Sequence, residues 1–280
     1  MQYYVDLEWL KEHLGEKEIR IVDCRFKLGS PEEGRRQYQE GHIPGAVYFD
    51  LEKDLSGSVG EHGGRHPLPE LNLLKEKLQD AGIGSETTVI AYDGIEGAFA
   101  SRFWWLMKYV GHEKVYILNG GFTGWEKKGY PYNQSIPKFE KTSFTISENK
   151  EMLASYQDVR DTALNESGNN VLIDSRESKR YKGIEEPIDR IAGHIPTAIN
   201  KPWMDGLENG AFKPREEQEK RFAELDRNQP IIVYCGSGIT ATPNYIALKE
   251  AGFKNVKLYA GSYSDWVSYK ENPVIRENEL

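Results

Sequence analysis

Ile231-Ile232-Val233-Tyr234-Cys235-Gly236-Ser237-Gly238-Ile239-Thr240-Ala241 is the stretch whose reading decides the fold. Its apolar opening run reads as a buried strand, the glycine-rich middle as a tight loop, and the end as the start of a helix. Ala241, Tyr245 and Leu248 recur at helical spacing, and Pro243 fits a first helical turn, where a missing N–H costs nothing. A cysteine at the end of a buried strand, facing a helix N-terminus, is where a reactive thiolate is expected. Backbone N–H groups and the positive end of the helix dipole both favour the anion. Gly236 and Gly238 let the backbone curl so that several amides can point at one spot. A free cysteine is also among the most buried residue types. The combination of strand, glycine loop and helix start favours reactivity for Cys235.

Outward from this stretch, the chain repeats itself. Ile21-Val22-Asp23-Cys24-Arg25 is echoed by Leu172-Ile173-Asp174-Ser175-Arg176, and Gly41-His42-Ile43-Pro44-Gly45-Ala46 by Gly193-His194-Ile195-Pro196-Thr197-Ala198. Thr88-Val89-Ile90-Ala91-Tyr92-Asp93-Gly94 is echoed by the Cys235 strand, and Val115 to Phe122 by Val256 to Tyr263. The order is preserved, so two copies of one domain are expected rather than a solenoid of short repeats. The expected division is a domain over 1–138, a linker over 139–150 following the proline-bearing Pro131-to-Lys138 segment, and a second domain over 151–280. In the first copy the patterns predict strands near 19–23, 46–49, 88–92 and 115–118. Helices are predicted near 6–14, 32–39, 70–81 and 97–109. This alternation predicts an α/β fold, two tandem domains each with a mainly parallel sheet flanked by helices, and ligands bound beyond the carboxyl ends of the strands. Cys235 falls there. Its counterpart Asp93 cannot be a sulfur nucleophile, so only the second copy is chemically armed.

Composition bounds the rest. The 280 residues suit two domains, and 38% hydrophobic with 29% charged residues describes a globular protein. No apolar run approaches the ~20 residues of a bilayer span, and the start of the chain lacks the pattern of a signal peptide. The two cysteines, Cys24 and Cys235, make no disulfide framework, which fits a reducing cytoplasm. The net charge of −8 argues against nucleic acid or an anionic membrane as partner, and means that an anionic substrate needs a local cluster of positive charge. His62 and His66 are four residues apart, but Gly63-Gly64 between them argues against a helix there, and no third ligand is evident, so no metal is expected. No cofactor is called for.

The paired Gly-His-Ile-Pro segments, the Asp-x-Arg strand ends and the Cys-Gly-Ser-Gly-Ile-Thr-Ala loop resemble the two-domain rhodanese family of sulfurtransferases, over nearly the whole chain. Tyr38 through Ala46 matches the family's N-terminal signature. The C-terminal signature, Tyr259-Ala260-Gly261-Ser262-Tyr263-Ser264-Asp265-Trp266, departs from it at Tyr263 and Asp265. The resemblance implies that Cys235 takes a sulfane sulfur from a small anionic donor, becomes a persulfide, and passes the sulfur to cyanide or a thiol, thioredoxin among the candidates. The loop looks like the 3-mercaptopyruvate branch and lacks the cationic loop usual for the thiosulfate branch. A thiosulfate:cyanide sulfurtransferase on the same site is the alternative, and a regulatory docking module a further one.

The resemblance also assigns roles. Ser237 and His66 match a proton relay, with Glu52 near the position of the relay's carboxylate. Arg180 matches the arginine that binds the substrate's anionic end, and Arg190 a second one. Gly236, Gly238, Ile239 and Thr240 are the loop positions expected to contact substrate. His42, His194 and the Asp23–Arg25 and Asp174–Arg176 pairs occur in both copies, so they are expected to be structural. Cys24 aligns with Ser175 and is expected to be an inert core thiol. One type of protein tyrosine phosphatase shares this domain fold, but its cysteine loop is longer and closes on an arginine, where this loop closes on Thr240-Ala241-Thr242. The chain has no Cys-x-x-Cys, which disfavours a disulfide oxidoreductase.

Overall fold

The Val/Ile-rich runs form parallel sheets because each is short and the connections between them, most of them carrying a helix, are long enough to return the chain. The computed structural model describes residues 3–165 and 170–277. The chain folds as two compact units. One holds the chain up to Gly57, Leu68–Asn149 and Glu208–Phe212; the other holds Ser58–Pro67, Lys150–Leu207 and the chain from Lys213 on.

In the first unit, β1 (Tyr4–Val5), β2 (Ile19–Asp23), β3 (Ala46–Tyr48), β4 (Thr88–Tyr92) and β5 (Val115–Leu118) form a sheet in the order β1-β5-β4-β2-β3, every pair parallel. The helices are α1 (Leu7–Glu12), α2 (Glu33–Glu40), α3 (Leu71–Asp80), α4 (Ala98–Tyr109) and α5 (Gly121–Lys127). The predicted strands and helices are all present; β1 was not predicted, being only two residues long. The segment expected as a linker forms no regular element over 139–149, yet it is tied down: Thr142 N–H donates to Gln79 O, Ser147 N–H to Val110 O, and Phe144 is buried.

The second unit repeats the plan. Strands β6 (Val171–Asp174), β7 (Ile199–Asn200), β8 (Ile231–Tyr234) and β9 (Val256–Leu258) lie in the parallel order β9-β8-β6-β7. Its helices are α6 (Tyr156–Ala163), α7 (Ser178–Lys182), α8 (Arg215–Arg221), α9 (Ala241–Glu250) and α10 (Ser262–Trp266). Strand β8 is central and all four of its residues are buried, as the uninterrupted apolar run requires. Helix α9 differs from the single apolar stripe expected: nine of its ten residues are buried, because α8 packs on it as well as the sheet.

The features shared by both copies do the same structural work in each. Arg25 clasps Asp23 at 2.6 Å and donates to Gly41 O at 2.6 Å; Arg176 clasps Asp174 at 2.6 Å and donates to Gly193 O at 2.7 Å. The ion pair fastens the strand end to the start of the Gly-His-Ile-Pro segment. His42 Nδ1 lies 2.8 Å from Tyr38 O, and His194 Nδ1 2.8 Å from Tyr181 O, each ring stacked on that tyrosine.

Candidate active site

Strand β8 ends at Tyr234, and the next residue, Cys235, sits between the carboxyl end of the sheet and the start of α9. Its side chain is almost fully buried. The loop that follows is a nest. Gly238 has φ +77°, and this left-handed turn aims its N–H at Cys235 Sγ, 3.2 Å away. Only glycine fits here, since a Cβ on Gly238 would lie 2.2 Å from Ala260 O. Among the described residues this is the loop amide that reaches the sulfur. The loop is held from below: Tyr263 N–H donates to Cys235 O and Ser264 N–H to Gly236 O, both at 2.9 Å. Ile239 is buried and its carbonyl caps Thr242, while Thr240 is half-buried at the helix start.

The first copy shows what became of the same nest without a cysteine. There Asp93 Oδ1 accepts the N–H of Gly97 at 2.9 Å, and Oδ2 accepts those of Phe99 and Ala100 at 2.9 and 3.2 Å. The anion site at the start of α4 is filled by the chain's own carboxylate. Burial pushes Asp93 up to about 6, against those three backbone hydrogen bonds, which lower it. Cys24 is fully buried, and burial together with Asp23, Asp93 and Asp54 pushes its thiol well up, so it holds its proton.

Ser237 and His66 come together: Ser237 Oγ and His66 Nδ1 are 2.8 Å apart, both residues buried. His66 arrives on the Ser58–Pro67 segment, which the second unit binds through sequence-distant contacts. Gly63 N–H donates to Asp265 Oδ1 at 2.7 Å, Arg65 N–H to Ser264 Oγ at 3.1 Å, and His62 stacks on Tyr269. Asp265, where the signature departed from the family's usual residue, thus spends one oxygen on this segment and the other on Tyr259 Oη at 2.5 Å. Glu52 belongs to the first unit and is exposed.

Arg180 lies over the loop. Its Nη2 and Nη1 are 3.4 and 3.6 Å from where a Cβ on Gly236 would stand. Arg190 is not brought to this set: its guanidinium donates to Val267 O. Arg180 is held in a buried ladder of alternating charge. Glu186 bonds Arg176 at 3.2 Å and Arg180 at 2.8 Å, Asp189 bonds Arg180 at 2.9 Å, and Asp189 also bonds Arg65. Burial works against the charge of Glu186, but Arg180 and two backbone N–H groups outweigh it and bring its carboxyl down. For Asp189 burial wins, and its carboxyl is raised despite Arg65 and Arg180.

Sequence reasoning passed over Glu186, Asp189, Arg65 and Ser262. Ser262 lies under the nucleophile, with its Oγ accepting Cys235 N–H at 3.1 Å and lying 4.0 Å from Sγ. It takes a left-handed φ of 56°, as does its counterpart in the other copy, Gly121. Aligning the two copies residue by residue would have exposed a serine where the backbone calls for glycine. Nothing in the spacing of Glu186 and Asp189 marked these buried acids apart from the exposed ones.

A cysteine in a backbone nest at a strand–helix junction of a repeated parallel α/β domain defines a class, and comparison with known proteins agrees. The rhodanese-like domain family matches residues 6–128 and 158–269, so the chain belongs to the rhodanese family. It is 40% identical over 271 residues to a probable 3-mercaptopyruvate sulfurtransferase of Pseudomonas aeruginosa, covering 95% of each chain. It is 32% identical over 276 residues to the thiosulfate sulfurtransferase of Rattus norvegicus, covering 94% of this chain and 91% of that one. The crystal structure of a 3-mercaptopyruvate sulfurtransferase from Escherichia coli superimposes with a TM-score of 0.83 at 32% identity, over 94% of this chain and 100% of that one.

Proposed function

We propose that the protein transfers a sulfane sulfur from 3-mercaptopyruvate to a thiophilic acceptor through a persulfide on Cys235. The Cys235 thiolate attacks the sulfur of the donor. The S–S bond forms as the donor's C–S bond breaks, and its electron pair passes to carbon as the pyruvate enolate. The donor's thiol proton ends on that carbon, giving pyruvate, and the persulfide stays on the enzyme. The sulfur is oxidised to the sulfane level and the carbon is reduced by the same two electrons, so no outside oxidant is needed. The N–H of Gly238 supports the negative sulfur, and Arg180 holds the donor's carboxylate. Cyanide or a thiol, including a protein thiol such as thioredoxin, then attacks the outer sulfur and frees the Cys235 thiolate. Both cysteines are free, which suits a reducing, cytoplasmic setting.

The observation that carries the choice of donor is the buried Ser237–His66 hydrogen bond of 2.8 Å beside the nucleophile. Mercaptopyruvate must move a proton from sulfur to carbon, and a serine–histidine pair can take and return it. Thiosulfate releases sulfite and needs no proton, so it has no use for such a pair. Side-by-side kinetics with the two donors and one acceptor test this: kcat/KM should favour mercaptopyruvate by at least about tenfold. A preference for thiosulfate would overturn the donor assignment.

A further inference from the structure

The short helix α10 and the turn after it hold the nucleophile loop on one side and the segment that carries His66 on the other. Toward the loop, Tyr263 N–H donates to Cys235 O and Ser264 N–H to Gly236 O, both at 2.9 Å. Toward the segment, Asp265 Oδ1 accepts Gly63 N–H at 2.7 Å, and Ser264 Oγ accepts Arg65 N–H at 3.1 Å. Ser264 gives its own hydroxyl proton to Gly261 O, which leaves its lone pairs to the segment. Between the two gripped amides, a Cβ on Gly64 would lie 2.3 Å from Gly261 O, so the two backbones are in contact. Further out, Ser268 Oγ donates to Asp265 O and therefore accepts from His62 Nδ1, both at 2.6 Å, and the His62 ring stacks on Tyr269. The tie from Arg65 to Asp189 is of another kind: it is made at the far end of a long side chain. The bonds from Asp265 and Ser264 grip the backbone itself, immediately before His66.

We propose that Asp265, with Ser264, is a positioning clasp: it fixes the backbone at Gly63 and Arg65 so that His66 meets Ser237 beside the nucleophile. This rests on the reading of Ser237 and His66 as a proton relay, but it concerns what holds the histidine. The carboxylate suits the task. It is buried, and its second oxygen accepts Tyr259 Oη at 2.5 Å, so its direction is set from both sides. A bond from an amide to a charged oxygen is about twice as strong as one to a neutral acceptor. The Gly63-Gly64 pair just before Arg65 and His66 has little stiffness of its own, so the histidine needs an outside tie. Because α10 also holds the Cys235 loop, nucleophile and histidine take their places from one element. The rate of a step that uses His66 then scales with the fraction of molecules in which the clasp is made.

Loading and discharge of the persulfide separate this role from a structural one. Asp265→Ala should slow single-turnover loading from mercaptopyruvate roughly ten- to a hundredfold, the loss expected for one bond to a charged group. Discharge of preloaded persulfide to cyanide takes no proton and should stay within about twofold of the parent. Ser264→Ala removes the neutral acceptor next to it without opening a cavity, and should show the same split at about three- to tenfold. Asp265→Asn keeps an oxygen for Gly63 N–H and should restore most of the loading rate. In the Asp265→Ala background, His66→Ala should cost less than about threefold more, because the histidine is already displaced. Deuterium exchange of backbone amides, read on peptides, should quicken over 58–67 and not over 235–241. Where His66→Ala loads slowly, parent-like loading in either folded clasp variant overturns the proposal. So does a full multiplication of the Asp265→Ala and His66→Ala losses, or an equal slowing of discharge, since either means that Asp265 acts on the loop or the fold. If His66→Ala alone loads like the parent, the relay reading fails and exchange decides the clasp: quickened exchange over 58–67 keeps it, and unchanged exchange removes it.

Discussion

Replacing Gly238 by alanine tests whether one amide makes the nucleophile. The backbone there has φ +77°, which costs an L-residue roughly 1–2 kcal/mol. The new Cβ would also stand 2.2 Å from Ala260 O and 3.0 Å from its carbon, both backbone atoms that cannot swing aside. The loop must open by about 1 Å to restore an ordinary contact of ~3.2 Å. That movement draws the Gly238 N–H away from Cys235 Sγ, now 3.2 Å distant. A hydrogen bond to a charged group contributes about 1.5–3 kcal/mol. Losing it should slow single-turnover persulfide formation roughly ten- to a hundredfold. The assay is rapid quench with intact-protein mass spectrometry, counting the one-sulfur adduct, with circular dichroism and a thermal melt to show that the fold persists. Gly236→Ala is the matched control: the three atoms nearest its Cβ are flexible guanidinium nitrogens at 3.0–3.6 Å, so it should disturb donor binding with little cost in stability. A Gly238→Ala protein that melts earlier yet loads sulfur within about twofold of the parent would refute the role of this amide.

Cys235→Ser should abolish persulfide formation while Cys24→Ser keeps most of it, since the Cys24 thiol is held protonated by burial and nearby carboxylates; equal losses in both, with folding intact, would refute the assignment. Ser237→Ala should slow loading from mercaptopyruvate by about 10²–10⁴, the usual worth of acid–base assistance, and leave loading from thiosulfate nearly unchanged, as stopped-flow with each donor would show. Asp93 gives a pH signature of the opposite sign to a salt-bridged carboxylate. Its folded value of about 6 lies above the unfolded ~3.9, so its contribution is full below about pH 4 and is lost as pH rises through about 6. The stability of the parent relative to Asp93→Asn should therefore fall by up to about 3 kcal/mol between pH 4 and 7 in denaturant titrations; a flat difference would show that the buried carboxylate is not so perturbed.

The order of strands and helices was legible because apolar period and glycine punctuation are local properties, and the duplication let each copy check the other. The Asp-x-Arg and Gly-His-Ile-Pro segments were read as structural from their presence in both copies, and Arg25–Gly41 and Arg176–Gly193 bear that reading out. What escaped was set by distances across the chain. Arg65 and Asp189 are 124 positions apart, so no spacing rule places them in contact, and Ser237 and His66, 171 apart, were paired by the family resemblance and not by spacing. By itself the sequence determined that a cysteine nest closes the central strand of the second copy, because strand, glycine turn and helix start are consecutive residues. Only the tertiary structure decided which charges surround that nest. It turned Arg190 to a backbone carbonyl and set Arg65 beside Arg180, because a buried carboxylate such as Asp189 must be paired, and the fold decides which arginines come within its reach.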